Sequence, residues 1–426
     1  MVADNPEKHS GVGRALRASV IVVMDMTSTL TIGERVAWYR RRRGLSQEVL
    51  AGLVGRTADW LGRIENNRIE LDRLSVIRAL ARALDVPLSA LLAEPAVDES
   101  STPDTVPALR MALTDYRTIT ALGRTGDGRA PTATSLKRDV GALWSAYQDS
   151  RFGHVIGRLP DLIRRAHVAA DVLDGDDQDE SRRLLGLTYQ LATTQLTKLG
   201  ETDLAWIAAE RGLAAVRPTG DPVVTGSLFR SVGHALHSTG RYRDAVRLTE
   251  DAAAYLDPYL SKPTPALLSV YGALFLGGSM AAARASDAGT ARAFLSTADE
   301  TANRLGGDAN HLWTAFGPTN VAIHRVSAAA ELGDVQVAVD RGPRIDTTGL
   351  PTERRVRHAL EVARAYDSWN RTEDAQAALF QAEQMAPEQV HHHFLSRQLV
   401  LAWVRRQRGK PSAELVGLAQ RLNVLT

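Results

Sequence analysis

The chain has 426 residues, with 51 Lys and Arg against 49 Asp and Glu, 44% hydrophobic residues and no cysteine. That length allows two or three cores, and the lack of thiols excludes disulfides, thiolate zinc sites and cysteine nucleophiles, as expected for a cytoplasmic protein. A formal net charge of +2 gives the whole chain no nucleic-acid-like basic excess, and no run approaches the ~20 apolar residues of a membrane span.

Residues 1–28 read as a flexible N-terminal extension. The apolar run from Ala18 to Met24 follows Arg14 and Arg17, but it is too short for a signal segment, lacks a small-residue cleavage site and runs into Asp25. Met24 and Met26 offer alternative starts.

Residues 29–94 read as one domain of five helices, at about 31–42, 46–53, 57–65, 72–84 and 88–92. Ser46 ahead of Val49 and Leu50, and Thr57 ahead of Leu61 and Ile64, are N-cap signals before apolar i, i+3, i+4 positions; Asp72 and Pro87 start the last two helices. Gly44 and Gly55 mark tight turns, so two short helices meet at a turn with another helix on each side. Residues 30–84 hold eleven Arg against six acids, so the basic density of the chain is concentrated here.

Residues 95–134 read as a linker. Pro95, Pro103 and Pro107 interrupt its first part, a short helix is expected near 107–115, and Gly123-Arg-Thr-Gly-Asp-Gly-Arg-Ala-Pro131 is a second break.

From 135 to 426 the pattern is a run of helical hairpins rich in alanine, the strongest helix former. Turns are expected near Gly153, Gly200, Gly240, Gly289, Gly333, Asn370 and Gly409, a spacing close to that of two-helix solenoid repeats. Gly240-Arg-Tyr242-Arg-Asp-Ala245, Gly200-Glu-Thr-Asp-Leu-Ala205 and Asn370-Arg-Thr-Glu-Asp-Ala375 repeat a theme of turn residue and small residue. No strand-like alternation persists.

Residues 32–92 resemble the helix-turn-helix family of phage repressors and xenobiotic-response-element-type regulators. The resemblance rests on Gly33-Glu-Arg35, Arg40-Arg-Arg-Arg43, Gly44-Leu-Ser46-Gln47-Glu48, Leu50-Ala51, Gly55, Ile64-Glu65 and Leu80-Ala81-Arg-Ala83-Leu84-Asp85-Val86 at matching offsets. It implies a lambda-repressor-like five-helix DNA reader whose third helix enters the major groove of double-stranded operator DNA. By position Arg56, Thr57, Ala58, Asp59 and Trp60 are candidates for base reading. Arg41, Arg43, Ser46, Gln47, Arg63 and Arg68 are candidates for phosphate contacts. Glu65 reads instead as an internal partner of a basic neighbour. Arg56, where the family has an apolar residue, and Ile69-Glu70, where it has asparagine-proline, depart from the pattern and leave the recognised bases open.

The remainder resembles the C-terminal part of large actinobacterial helix-turn-helix regulators, through Leu143-Trp-Ser-Ala-Tyr147, Leu159-Pro160-Asp-Leu162, Thr314-Ala-Phe-Gly-Pro-Thr-Asn320-Val-Ala-Ile-His324, Leu350-Pro-Thr-Glu-Arg354-Arg355 and Ala382-Glu-Gln-Met-Ala-Pro387. Its architecture is similar to that of the peptide-sensing quorum regulators of Gram-positive bacteria. The fold class expected is therefore all-α, a helix-turn-helix domain followed by a tetratricopeptide-like α-solenoid, with a small-molecule or peptide effector and homodimerisation as its implied partners.

Candidate groove residues are Gln190 with Thr194, Arg230 with His234, and Asn320 with His324, each pair spaced i, i+4 and so on one helix face, and Trp313 seven residues before Asn320. Against this stands the alternative that such residues close interhelical hydrogen bonds. His391-His392-His393 cannot all reach one ion from a helix and reads as a helix start. Gly272 and Gly277-Gly278 read as close-packing sites and not as a nucleotide loop. No catalytic constellation, cofactor motif or metal site is expected. The function expected is a DNA-binding transcriptional regulator controlled by its repeats; the alternative is a scaffold whose repeats recruit a partner protein to DNA.

Overall fold

The computed structural model describes residues 30–69, 71, 74–84, 86, 88–92, 105–115, 131–406 and 411–424. The expectations for 1–28, Asp72, Pro87, Pro95, Pro103, the 123–131 break and Gly409 fall outside them. Among the described residues the fold is all-α, with one isolated bridge between Ala309 and Phe316. The chain divides into two compact units, Met1–Val97 with Arg397–Thr426, and Asp98–Ser396. Residues 397–426, which the hairpin pattern assigns to the repeat region, thus group with the N-terminal unit.

The first unit opens with α1 (Ile32–Arg42), α2 (Gln47–Leu53), α3 (Ala58–Glu65), α4 (Leu74–Ala83) and α5 (Leu88–Leu92). Each of the first three starts on a hydroxyl cap: Thr31 accepts from Glu34 N in a capping box, Ser46 from Val49 N, and Thr57 from Trp60 N. Gly44 and Gly55 end α1 and α2 at φ +67° and +65°, where a side chain would be strained. The core is Val36, Leu50, Ala51, Leu61, Ile64, Ile77, Leu80 and Leu84, all buried, each large aliphatic contributing about 1.5–3 kcal/mol. Gly33 lets α1 lie against α3, since a Cβ there would sit 2.0 Å from the Ile64 carbonyl oxygen.

The second unit begins with α6 (Thr105–Thr114) and continues as six helical hairpins. They are α7 (Ala133–Gln148) with α8 (Phe152–Val172), α9 (Gly175–Lys198) with α10 (Thr202–Val216), α11 (Pro222–Ser238) with α12 (Tyr242–Leu256), α13 (Pro265–Arg284) with α14 (Ala288–Leu305), α15 (Pro318–Glu331) with α16 (Val335–Arg341), and α17 (Thr352–Ser368) with α18 (Thr372–Met385). A short α19 (Pro387–His392) follows. Each first helix packs on the first helix of the next hairpin, and α17 returns to touch α7. This is an α-solenoid closed back on its own start.

All six hairpin turns have one construction. A single left-handed residue, Ser150, Gly200, Gly240, Ser286, Gly333 or Asn370, follows the first helix. The next N–H then bonds back five residues, as Arg241 N does to Leu236 O and Asp287 N to Ala282 O. The turns expected at Gly153 and Gly289 are therefore displaced: both glycines lie in the first turn of the following helix, and Ser150 and Ser286 take the left-handed position. Behind the Gly240 turn, Tyr242 and Ala245 pack with Leu236 and Ala281, which accounts for the small residue five positions after the turn glycine.

Contrary to the sequence expectation, α13 is long and apolar enough to cross a membrane by length and composition, but most of it is buried inside the protein. Its apolarity follows from its central place, with neighbours on both sides. Gly272 and Gly278 serve that packing: a Cβ would lie 1.8 Å from Phe316 and 2.7 Å from Thr249 respectively, whereas Gly277 faces open space.

The final helices are α20 (Phe394–Arg406) and α21 (Ala413–Arg421). Within the first unit, Arg405 pairs with Glu34 of α1. His393 sits between α19 and α20, where its Nδ1 accepts from Leu395 N at 3.3 Å, and His391 bonds Glu383 at 2.7 Å, so these two histidines serve local structure.

Candidate functional site

In the first unit α3 turns its apolar side, Leu61 and Ile64, into the core and leaves Arg56, Thr57, Asp59, Arg63 and Arg68 on the surface. Ala58 and Trp60 are half-buried. Trp60 packs on the core while the Arg56 guanidinium lies over its ring, 5.5 Å from the centroid. Arg63 pairs with Asp59 at 3.0 Å along the exposed helix, a contact worth about 0.3–0.5 kcal/mol and easily exchanged for a phosphate.

The four-arginine run splits by function. Arg40 is buried and forms a bidentate pair with Glu65, 2.5 and 2.7 Å, and the same carboxylate accepts from Gln47 Nε2 at 2.7 Å. Glu65 is thus the internal partner its position suggests, and Gln47 is engaged inside the domain. Arg41, Arg42 and Arg43 stay exposed at the end of α1. The Ser46 hydroxyl is occupied as the cap of α2.

Two short helices joined by a left-handed glycine, the second with an exposed polar face beside a cluster of arginines, make the arrangement recognisable. Residues 31–94 match the family model described as a helix-turn-helix domain. No curated protein and no solved structure matches the chain. The helix-turn-helix domain makes the protein a DNA-binding one, and in it α3 occupies the place of the recognition helix.

The solenoid sorts its candidates into two groups. Gln190 donates to the Ser227 carbonyl and hydroxyl at 2.7 and 2.9 Å, tying α9 to α11, and the Thr194 hydroxyl bonds back to the Gln190 carbonyl. Asn320 donates to the Ala315 carbonyl at 2.9 Å, leaving its buried Oδ1 without a partner. Trp313 does not share a helix face with Asn320: it lies at φ +54° in the loop before α15 and stacks on Trp144 at 5.0 Å.

Arg230 and His234 of α11 and His324 of α15 behave differently. All three are partly accessible, yet the Arg230 and His234 side chains make no hydrogen bond among the described residues. Burial, then the neighbouring Arg354, lowers Arg230 to about 10. Burial and then Arg230 push His234 well below its usual range. Burial and then Arg354 bring His324 down to about 3, so it is neutral at physiological pH.

Sequence reasoning missed the residues that face them. α17 carries Glu353, Arg354, Arg357, Glu361 and Arg364, and α9 ends in Lys198, whose ammonium bonds Glu353 at 2.6 Å and lies 4.8 Å over the Phe152 ring. Tyr147 of α7 is buried in the same cluster. The signal was present as a charged stripe at 3.6-residue spacing on α17, but it reads equally as a solvated face until α17 is seen to return to α7.

Proposed function

We propose that this protein is a sequence-specific transcriptional regulator whose solenoid binds an effector and whose active form is a homodimer. The observation that carries the reading is the exposed polar face of α3 over a buried core, with Arg41 and Arg43 exposed at the end of α1, in a domain matched as helix-turn-helix. Arg56, Thr57, Ala58, Asp59 and Trp60 then face base edges, and Arg41, Arg43, Arg63 and Arg68 face phosphates. Ser46 and Gln47 act by holding the turn.

One such domain reads a half-site, so a dimer on two half-sites about one helical turn apart supplies specificity. The partnerless polar groups of the solenoid support the effector. A gel shift of the full chain on genomic fragments, with unlabelled nonspecific competitor at ~150 mM salt, tests the reading. Selective retention of a fragment with a repeated half-site is expected; equal affinity for all fragments defeats it.

A scaffold reading, in which the repeats recruit a protein partner to DNA, draws on the exposed Trp206, Tyr255 and Tyr259 of the second unit. Saturable binding of a purified small molecule that alters DNA affinity separates the sensor from it.

A further inference from the structure

The carboxylates at the centre of the solenoid already have their cations. Glu353 takes Lys198 at 2.6 Å, Glu331 takes Arg284 at 3.6 Å and Arg364 at 3.3 Å, and Glu361 takes Arg364 at 2.8 Å. Three guanidiniums are left over. Arg230 of α11 and Arg354 and Arg357 of α17 form no side-chain hydrogen bond or ion pair among the described residues, and Arg354 Nε is buried without an acceptor.

These groups are close enough to repel. Burial and then Arg354 lower Arg230, and burial lowers Arg354 against the help of Glu353, with Arg357 adding to the loss. Arg230 and Arg354 are half-buried and Arg357 is exposed; keeping two such unpaired cations partly out of water is costly, and a fold that does so gains when an anion joins them. The planar guanidinium fork is suited to the two oxygens of a carboxylate or phosphate.

The surroundings add hydrogen-bonding groups without adding charge. His234 and His324 are held neutral, and burial, then Glu353, pushes the Tyr147 phenol up, so it keeps its proton. The two ends of the repeat stack are stitched where they meet: Ser150 Oγ donates to Gln389 Oε1 at 2.7 Å, and Gln389 Nε2 donates to the Glu353 carbonyl at 3.1 Å.

We propose that this cluster is the binding site of a small oxyanion, a molecule bearing a phosphate or paired carboxylates, gripped by Arg230, Arg354 and Arg357 with Tyr147 and His234 as hydrogen-bonding neighbours. The inference rests on the reading of the solenoid as an effector domain and names the chemistry of the effector.

Thermal unfolding and calorimetry of the full chain with inorganic phosphate, pyrophosphate and citrate, at ionic strength held constant with chloride, test it. Pyrophosphate or citrate is expected to raise the unfolding temperature of the wild type by several degrees at about 100 times its Kd. Arg230→Gln, Arg354→Gln and Arg357→Gln, the last at the most accessible position, are expected to weaken binding at least about tenfold, the loss of one charge-assisted contact. Without anion Arg230→Gln is expected to unfold no earlier than the wild type, because a charge repelled by Arg354 has gone and no carboxylate leans on it. Equal shifts in wild type and variants, no shift with any of the three anions, or an Arg230→Gln protein that unfolds well below the wild type without anion each overturn the proposal. If the anion binds but DNA affinity is unchanged, the site stands and the effector reading fails. If only an uncharged compound changes DNA affinity and the three variants still respond, the effector reading stands and this site fails.

Discussion

Arg40 of α1 and Glu65 of α3 meet as a bidentate ion pair, with Nε 2.5 Å from Oε1 and Nη2 2.7 Å from Oε2, both side chains nearly out of water. Gln47 of α2 donates to the same carboxylate, and Arg40 Nη1 donates to the Leu45 carbonyl in the intervening turn. One carboxylate therefore fixes three helices and the angle at which α3 is presented. Breaking such a pair leaves a buried guanidinium uncompensated, at a cost of about 3–5 kcal/mol. Glu65→Ala should lower hydrogen-exchange protection of residues 32–65 to that extent and leave the solenoid unchanged; full protection in the variant contradicts the role.

The exposed arginines and the first residues of α3 should separate on DNA. Arg41→Ala should weaken binding to all sequences alike and reduce the slope of log K against log salt by about one. Arg56→Ala should cost about 1–3 kcal/mol on the preferred site and little elsewhere. Thr57 also caps α3, so Thr57→Ser, which retains the cap, is the informative change: it should keep stability and alter site preference. Fluorescence anisotropy on matched and scrambled duplexes distinguishes the two classes, and identical salt slopes throughout would refute the assignment.

Acid should destabilise the solenoid. Burial, followed by the charges of Arg284, Arg354 and Arg357 respectively, brings His237, His324 and His393 to about 3, while their unfolded value is 6.5. The unfolded chain thus takes protons that the folded chain refuses, so stability falls as pH drops from about 6.5 towards 3, by up to about 1.4 kcal/mol per pH unit for each histidine. Burial alone would raise Glu353, but Lys198 with Arg354 and Arg357 outweighs it and holds the carboxyl well below its usual range. That contribution is present above about 4.5 and is also lost on acidification. Urea midpoints at pH 7.5, 6.0 and 5.0 should decline in order; a flat series rules the argument out.

Gly272 should not accept a side chain. Its Cβ would lie 1.8 Å from Phe316 Cζ, and Phe316 is fully buried with Phe275 and Phe294 around it. Gly272→Ala should destabilise the solenoid by about 1–3 kcal/mol through overpacking, and Phe316→Leu in the same chain should recover part of the loss. Calorimetric unfolding of the single and double variants measures both; additive losses would show that the two residues do not oppose each other.

Local chemistry explains which elements are legible in the chain. Hydroxyl caps at Ser46 and Thr57, glycines at the αL positions 44 and 55, and apolar residues at i, i+3, i+4 each act within a few residues, so the pattern places α1 to α5 to within about two residues of their observed ends. Gln190 reads as either a groove residue or an interhelical tie, and its amide is used on Ser227 of another hairpin. Glycine adopts positive φ freely, which points to turns at Gly153 and Gly289, but Ser150 and Ser286 bear that conformation where the six-to-one hydrogen bond demands it.

From its sequence alone this chain determined an all-α fold, a helix-turn-helix domain near its start and a hairpin period behind it, because helix caps, glycine conformations and 3.6-residue periodicity are short-range properties. Tertiary structure decided which polar residues meet. Arg230 and Arg354 lie three hairpins apart along the chain, and only the return of α17 to α7 brings Arg354 into the field of Tyr147, Lys198 and Arg230. Charge spacing on one helix cannot say whether that charge faces water or another cation, since the answer belongs to the closure of the whole solenoid.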